Sequence, residues 1–274
     1  MVRSSLRQSS HRSIRQGLCD CTDRLRAGEE GLRVCEWAGK LLFLPKSIFL
    51  RHISIQVNVD EGWLKGRYPG NNTIYEDITK FPSGMAALGQ WVRSQPTYPG
   101  SPKKMKYGLY SCRGTCQCGT HYYGAVGSHG FEAEDTAWMI AAGAEWLKID
   151  SCCGSQDHAT AFSDYSKFRD AMNASGKQVW FNLCGWHDWY APPDLSINYT
   201  GGGSLGNSWR IYGDGGSFRA ITGALNTMAR LSNFTGPGAY SDPDNILGPH
   251  GTVGRVSESQ ARVQVGTVAH THKT

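Results

Sequence analysis

Short apolar, strand-like runs alternate along this sequence with longer helix-like stretches. The strand-like runs are SIQVNVD (54–60), KYGLYS (106–111), EWLKIDS (145–151), QVWFNLC (178–184), SWRIYGD (208–214) and AYSDPDNIL (239–247). Helix-like stretches begin at residues 81, 131, 158, 217 and 257. This alternation predicts an α/β fold in which crossover helices connect the strands of a parallel sheet.

Length and composition narrow the architecture further. The chain has 274 residues, of which 39% are hydrophobic and 34 are glycine, so it is large enough for one (β/α)8 barrel with a solid core. Catalytic side chains of such barrels lie at the carboxyl ends of the strands. The residues that end the strand-like runs are therefore the first candidates for a functional site.

The run GAEWLKID (143–150) ends in a carboxylate, and its short apolar character suits a buried parallel strand. Side chains alternate along a strand, so Lys148 and Asp150 share one face. The ammonium group would hold the carboxylate ionised and therefore nucleophilic. An ordinary structural ion pair at a strand end fits the same pattern.

Three further strand-like runs also end in acids. Asp214 follows Arg210 by four residues, and an Asp after a Gly is also common in turns. Asp60 and Glu61 precede Trp63, whose indole could stack on a sugar ring. Asp242 and Asp244 end the last run. Glycosidic bond cleavage needs two carboxyl groups, so this set of acids favours a carbohydrate site.

These segments together resemble glycoside hydrolase family 27, the α-galactosidase (melibiase) family. NVDEGW resembles the family's IDDCW, FPSGMAALGQWV its FPxGMxxLxxxV, and KYGLYS its KFGIYS. WLKIDSC resembles YLKYDNC, SWRIYGD resembles WRxxxD, and GPGAYSDPDNIL resembles GPGGWNDPDML. The resemblance extends from about residue 53 to about residue 248.

The resemblance implies a role for particular residues of this chain. Asp150 would be the nucleophile and Asp214 the acid/base, and Cys118 and Cys152 would form a disulfide. The residues expected to hold the sugar are Asp60, Glu61, Tyr110, Lys148, Cys184, Trp186 and Arg210. The expected activity is that of a retaining exo-glycosidase on terminal α-D-galactosyl groups of oligosaccharides or glycoconjugates, without a metal or another cofactor.

Two departures from the family pattern leave alternatives open. Glu61 replaces the second acid of the family's DD pair, and Gly185 replaces the Glu of its Cys-Glu-Trp motif, which reads the sugar 2-position. A β-L-arabinopyranosidase of the same family is one alternative. A carbohydrate-binding remnant without catalysis is the other, because the family's first and eighth strands are not recognisable here.

The ends of the sequence differ from the rest of the chain. Residues 1–51 carry the whole net charge of +5, and they form a divergent basic segment ahead of a partial barrel over 52–274. The segment reads either as a transit-like leader or as a non-native start, and no signal peptide is visible. We expect an incomplete barrel with no C-terminal β-sandwich domain, no membrane span and no nucleic-acid binding.

The nine cysteines indicate an oxidising compartment. The cluster CRGTCQC (112–118) lacks the paired spacing of a zinc site, so disulfides are the preferred interpretation. Sequons occur at Asn71, Asn173, Asn198 and Asn233. Together with the family resemblance, these features predict a secreted or a lysosomal or vacuolar protein. For His187 and Asp188, which follow Cys184, a ligand contact is one interpretation, and an exposed loop pair is the preferred one.

Overall fold

A computed structural model of the chain describes residues 55–119, 126–185, 202–244 and 256–271. The strands are β1 (Gln56–Val59), β2 (Leu64–Arg67), β3 (Ile74–Glu76), β4 (Lys106–Cys112), β5 (Trp146–Asp150), β6 (Trp180–Cys184), β7 (Ser208–Arg210) and β8 (Tyr240–Asp242). Six of them form one sheet in the order β1-β4-β5-β6-β7-β8, and every pair in it is parallel. The predicted α/β architecture is confirmed, and within the described residues it is a partial barrel.

Helices follow the strands as the alternation predicts. They are α1 (Gly84–Ser94), α2 (Glu132–Ala141), α3 (His158–Ala174), α4 (Phe218–Arg230) and α5 (Glu258–Thr271). Asp157 caps α3 by accepting a hydrogen bond from the Thr160 amide at 2.8 Å, and Ser217 caps α4 by accepting one from the Ala220 amide at 3.2 Å. These caps satisfy amide groups that the first helical turn leaves without partners.

The two faces of the sheet differ in chemistry. Parallel register places Ile149 beside Leu183 and Leu183 beside Trp209, and these side chains are almost fully buried. Such a row is typical of the face that crossover helices cover. α4 contributes Ile221 and Leu225 to the buried set, at the spacing of one helical face.

The opposite face of the same strands carries the polar groups. Tyr110 pairs in register with Lys148, and Lys148 pairs with Asn182. Two residues further along, Asp150 pairs with Cys184 on the neighbouring strand. Because side chains alternate with period two, these residues project from the same face. The fold thus gathers them near the carboxyl ends of β4, β5 and β6.

A hairpin of β2 and β3 was not expected from the sequence. These antiparallel strands enclose the turn PGNN (69–72), and Arg67 forms a bidentate ion pair with Asp135 of α2, at 2.7 and 2.5 Å. Trp63, at the entry to the hairpin, is fully buried, stacks on Trp138 and donates its indole N–H to the Tyr110 carbonyl at 2.9 Å. The interpretation of Trp63 as a sugar platform is therefore wrong, because the ring belongs to the core.

In the described part of the chain, no helix combines the length and apolar character that crossing a bilayer requires.

Candidate active site

Carboxylates collect at the carboxyl edge of the sheet. Asp60 directly follows β1, Asp150 ends β5 and Asp242 ends β8. The predicted strand over 208–214 is too long, because β7 ends at Arg210 and Asp214 lies in the loop four residues later. Asp214 is held there by a side-chain contact rather than by the sheet.

Asp150 lies in a nearly closed environment with several donors. It is 8% exposed, and its Oδ1 accepts a hydrogen bond from the Ser151 amide at 2.8 Å. Its Oδ2 accepts one from the hydroxyl of the fully buried Tyr110 at 3.3 Å. Cys184 is the register partner of Asp150 on β6, and its side chain acts on this carboxyl as a hydrogen-bond donor that lowers the pKa. The carboxylate is thus oriented by groups from three neighbouring strands.

Burial is the largest influence on Asp150, and it raises the pKa of this carboxyl above the ordinary value. The charge of Lys148 and the bonds from Ser151 and Cys184 lower the pKa by less. The charge of Lys148 thus acts in the expected direction, and burial has the larger effect, so the net shift in the pKa of Asp150 is upward. Lys148 directs its ammonium group at Asp60, with Nζ 2.8 Å from Oδ2 and 3.1 Å from Oδ1.

Arg210 connects two acids across the edge of the sheet. Its side chain is only 4% exposed; Nη2 lies 2.9 Å from Asp214 Oδ1, and Nη1 lies 3.1 Å from Asp244 Oδ1. Asp244 Oδ2 also accepts a hydrogen bond from the Gly215 amide at 2.6 Å, and this bond fixes the position of the residue after Asp214. The side chain of Asp214 is 84% exposed. One carboxylate of the predicted catalytic pair is therefore buried, and the other faces open space.

Glu61 belongs to the same electrostatic group. Burial raises the pKa of Glu61, and the charges of Asp60, Asp150 and Asp214 raise it further, against a lowering by Lys148. Gly119 packs against it so closely that an added Cβ would lie 2.5 Å from Glu61 Oε1. The longer acid at this position is thus accommodated by a glycine opposite it.

Two disulfides join the loop after β4 to the loop after β5. Cys118 is bonded to Cys152, as the resemblance implied, with Cα atoms 5.1 Å apart. Cys116 is bonded to Cys153, with Cα atoms 5.5 Å apart, and this second pairing was not predicted. Because Cys116 and Cys118 both form disulfides, their sulfur atoms are not available as thiolate ligands for zinc.

Sequence reasoning missed part of the supporting network. Asp242 and Asp244 were recognised as acids at the end of a strand but were not assigned to the site, although Asp244 pairs with Arg210. Asn182 donates to both Ser208 Oγ and Asp242 Oδ2 at 2.8 Å. Trp186, His187 and Asp188 lie outside the described residues.

A cluster of metal-type ligands is formed by residues at the start of α2 and within α3. His129, Glu132 and Asp164 approach one another closely enough to share an ion. However, Lys167 lies 3.1 Å from Asp164 and 3.5 Å from Glu132, and Arg113 lies 3.3 Å from Asp164. These cations already balance the two carboxylates, so the cluster is organised as an ion-pair network.

The sequence and the fold of this chain are similar to those of known proteins. Residues 51–271 match the profile of a melibiase family described as "Alpha galactosidase A". The chain belongs to this family. A Dictyostelium discoideum melibiase relative named "Probable alpha-galactosidase" is 32% identical over 192 residues, which cover 70% of this chain and 44% of that protein. An Arabidopsis thaliana relative named "Alpha-galactosidase 2" is 29% identical over 192 residues, which cover 69% of this chain and 43% of that protein.

A solved melibiase structure agrees with the fold. The α-galactosidase of Saccharomyces cerevisiae, determined with raffinose, aligns with a TM-score of 0.61 at 23% identity, covering 76% of this chain and 47% of the yeast chain. At that identity the likeness concerns the fold alone. The chain spans less than half the length of the curated melibiase relatives described above.

Proposed function

We propose that this melibiase-family chain is a retaining exo-glycosidase that hydrolyses terminal α-D-galactosyl residues. The observation that carries the proposal is the pair of unlike carboxylates at one edge of the sheet, the buried Asp150 and the exposed Asp214. Both positions match the family's catalytic motifs. Lys148, Asp60 and Arg210 surround them with the charged donors and acceptors that sugar hydroxyls require.

The proposed reaction has two displacements. Ionised Asp150 attacks the anomeric carbon while protonated Asp214 gives its proton to the departing oxygen, which yields a covalent glycosyl-enzyme. Asp214 then removes a proton from water, the water oxygen bonds to the anomeric carbon, and the Asp150 ester bond breaks. Two inversions retain the configuration. This mechanism requires the two carboxyl groups to be about 5 to 5.5 Å apart when substrate is bound.

Turnover of nitrophenyl α-galactoside tests the proposal, with nitrophenyl β-arabinopyranoside as the competing substrate. Because configuration is retained, we expect the α anomer of galactose to be the product released, before it equilibrates in water. In Asp150→Asn we expect kcat to fall on the order of 10⁴-fold or more, and azide to restore part of the turnover. Asp170→Asn is the matched control, because Asp170 is an exposed carboxylate on α3.

The outcomes separate the alternatives. Preference for the arabinopyranoside would identify the other family activity, and galactose binding without turnover of either substrate would identify a non-catalytic carbohydrate-binding chain. Full activity in Asp150→Asn would exclude Asp150 as nucleophile.

The proposed compartment is extracellular, lysosomal or vacuolar. Two disulfides close to the nucleophile support it, since such bonds persist where the environment is oxidising. Secretion of the expressed chain with both bonds formed, detected by non-reducing peptide mapping, is the corresponding measurement.

A further inference from the structure

Two free thiols flank Asp150 within the sheet, one on each neighbouring strand. Cys112 of β4 and Cys184 of β6 are both register partners of Asp150, and both are buried and outside any disulfide. Their hydrogen bonds differ. The Cys112 thiol donates to the Cys152 carbonyl at 3.1 Å, whereas the Cys184 side chain, in register with Asp150, acts on its carboxyl as a donor that lowers the pKa of Asp150. The sheet thus offers two equivalent positions beside Asp150, and only at the Cys112 position does the thiol donate to a carbonyl elsewhere.

Cys184 also contacts the group that holds the second carboxylate. Its sulfur accepts a hydrogen bond from Arg210 Nη1 at 3.6 Å, and Nη2 of the same guanidinium lies 2.9 Å from Asp214. A continuous set of contacts therefore runs from Asp150 through Cys184 and Arg210 to Asp214. Cys184 is 2% exposed, so its sulfur faces protein groups rather than open space.

A thiol is chemically suited to this place. It can donate one hydrogen bond and accept another at the same time, as the contacts with Asp150 and Arg210 require. Burial raises the pKa of Cys184 well above its ordinary value. The S–H form is therefore retained at neutral pH, and the proton stays available for the carboxylate.

We propose that Cys184 is a positioning residue that orients the Asp150 carboxylate and couples it to Arg210, rather than a contact for the sugar. The catalytic consequence of this role rests on the proposed function, but the orientation of Asp150 does not. Without the thiol, the ionised carboxylate keeps the Ser151 and Tyr110 donors and loses the third.

The two roles of Cys184 predict different measurements. A lost donor disfavours the ionised carboxylate, so the pKa of Asp150 should rise further in Cys184→Ala, by about one unit for one hydrogen bond to a charged group. The acidic limb of the pH profile should move upward equally, and kcat should fall about 10-fold at mildly acidic pH. A sugar contact would instead raise KM and leave the titration of Asp150 unchanged.

Carboxyl carbon NMR provides a measurement that does not depend on turnover. The Asp150 resonance is assigned by its loss in Asp150→Asn and then titrated in the full chain and in Cys184→Ala, Cys184→Ser and Cys112→Ala. We expect the upward shift in Cys184→Ala, a return toward the unsubstituted chain in Cys184→Ser, whose hydroxyl is again a donor, and no shift in Cys112→Ala. Cys184→Val, which fills the volume without a donor, replaces the alanine variant if that one does not fold.

An unchanged Asp150 titration in both Cys184→Ala and Cys184→Val would overturn the proposal. If the Asp150 titration shifts upward in Cys184→Ala while the unsubstituted chain shows no turnover, the role of Cys184 in orienting Asp150 is supported and the proposed activity is not. The shift in the Asp150 resonance together with an equal shift in the acidic limb would support both.

Discussion

At the scale of single residues, Asp150 combines two properties that oppose each other. Its burial places it beside Cys184 and Tyr110 in a fixed orientation, and the same burial makes its charged form unfavourable. The proposed role of Asp150 as the nucleophile requires that charged form. Asp150 therefore carries a cost to stability that the proposed catalytic role would require.

The raised pKa of Asp150 gives a prediction with a defined sign. Below the ordinary pKa of an aspartate, both native and unfolded states are protonated, and the stability associated with this group is fully present. As the pH rises through the raised native-state pKa, the native state holds more protons than the unfolded state, so the free energy of unfolding falls. Asp150→Asn removes this loss. We expect its melting temperature at pH 7 to exceed that of the unsubstituted chain by about a few degrees.

Melting curves from pH 3 to pH 8 check this prediction. The gain in Asp150→Asn should shrink as the pH falls below the ordinary range of an aspartate, and Asp170→Asn should show no such gain. A lower melting temperature for Asp150→Asn at neutral pH would mean that its ionised form is stabilising.

Asp244 gives a second prediction at the same scale. It supplies a charge to the buried Arg210 and accepts the Gly215 amide, and its φ of 75° lies in the left-handed region that Asn also tolerates. Asp244→Asn keeps the backbone geometry and removes the charge. We expect a loss of about 2 kcal/mol in the free energy of unfolding, because a charge-assisted bond to a buried cation is weakened.

Urea titration measures that loss, and Asp170→Asn again provides an exposed carboxylate as control. An unchanged midpoint for Asp244→Asn would show that Asp214 alone balances the charge of Arg210.

At the scale of elements, the loops after β4 and β5 are joined by nested disulfides. Cys118–Cys152 spans 34 residues and Cys116–Cys153 spans 37, so either bond closes nearly the same loop. Once one bond is present, the other closes only a ring of a few residues. The unfolded chain therefore loses little additional entropy from the second bond.

Removal of the disulfides should therefore be strongly non-additive. By loop-closure entropy, we expect the loss of either bond to cost about 2 kcal/mol and the loss of both to cost about 6 kcal/mol. The variants are Cys116→Ala with Cys153→Ala, Cys118→Ala with Cys152→Ala, and the combination of all four. Guanidinium unfolding provides the three values. A combined cost equal to the sum of the separate costs would show that the two bonds act independently.

At the scale of the whole molecule, local sequence patterns were sufficient to predict that most helices and strands exist and insufficient to predict where each one ends. The helices were predicted from helix-like stretches between the strand-like runs, and the caps Asp157 and Ser217 that the structure adds are also encoded within a few residues. β7 was drawn too long because Ile211 and Tyr212 continue the strand-like pattern in sequence, whereas pairing with β8 ends at Arg210 and Asp242, and no local pattern reports that pairing. The β2–β3 hairpin was missed although the turn PGNN is a usable signal.

The residues of the candidate site were likewise predictable from the sequence only in part. The acids at strand ends and the motifs around Asp150 and Asp214 were readable from the sequence. The second disulfide was not, because Cys152 and Cys153 are adjacent and spacing cannot distinguish their partners. The upward shift in the pKa of Asp150 depends on three-dimensional burial, which the neighbouring Lys148 in the sequence obscured.

The order of the strands yields the last prediction. In the described part of the chain, β4 and β5 are paired on both sides, whereas β1 and β8 are paired on one side only. The central strands are also the more deeply buried, with Leu109 and Leu147 fully covered. Local opening requires less free energy where fewer contacts must break, so amide exchange should be slowest in β4 and β5 and faster in β1 and β8. Hydrogen-exchange mass spectrometry resolves these segments as separate peptides. Equal protection of β1, β8 and the central strands would mean that further residues cover both edges of the sheet.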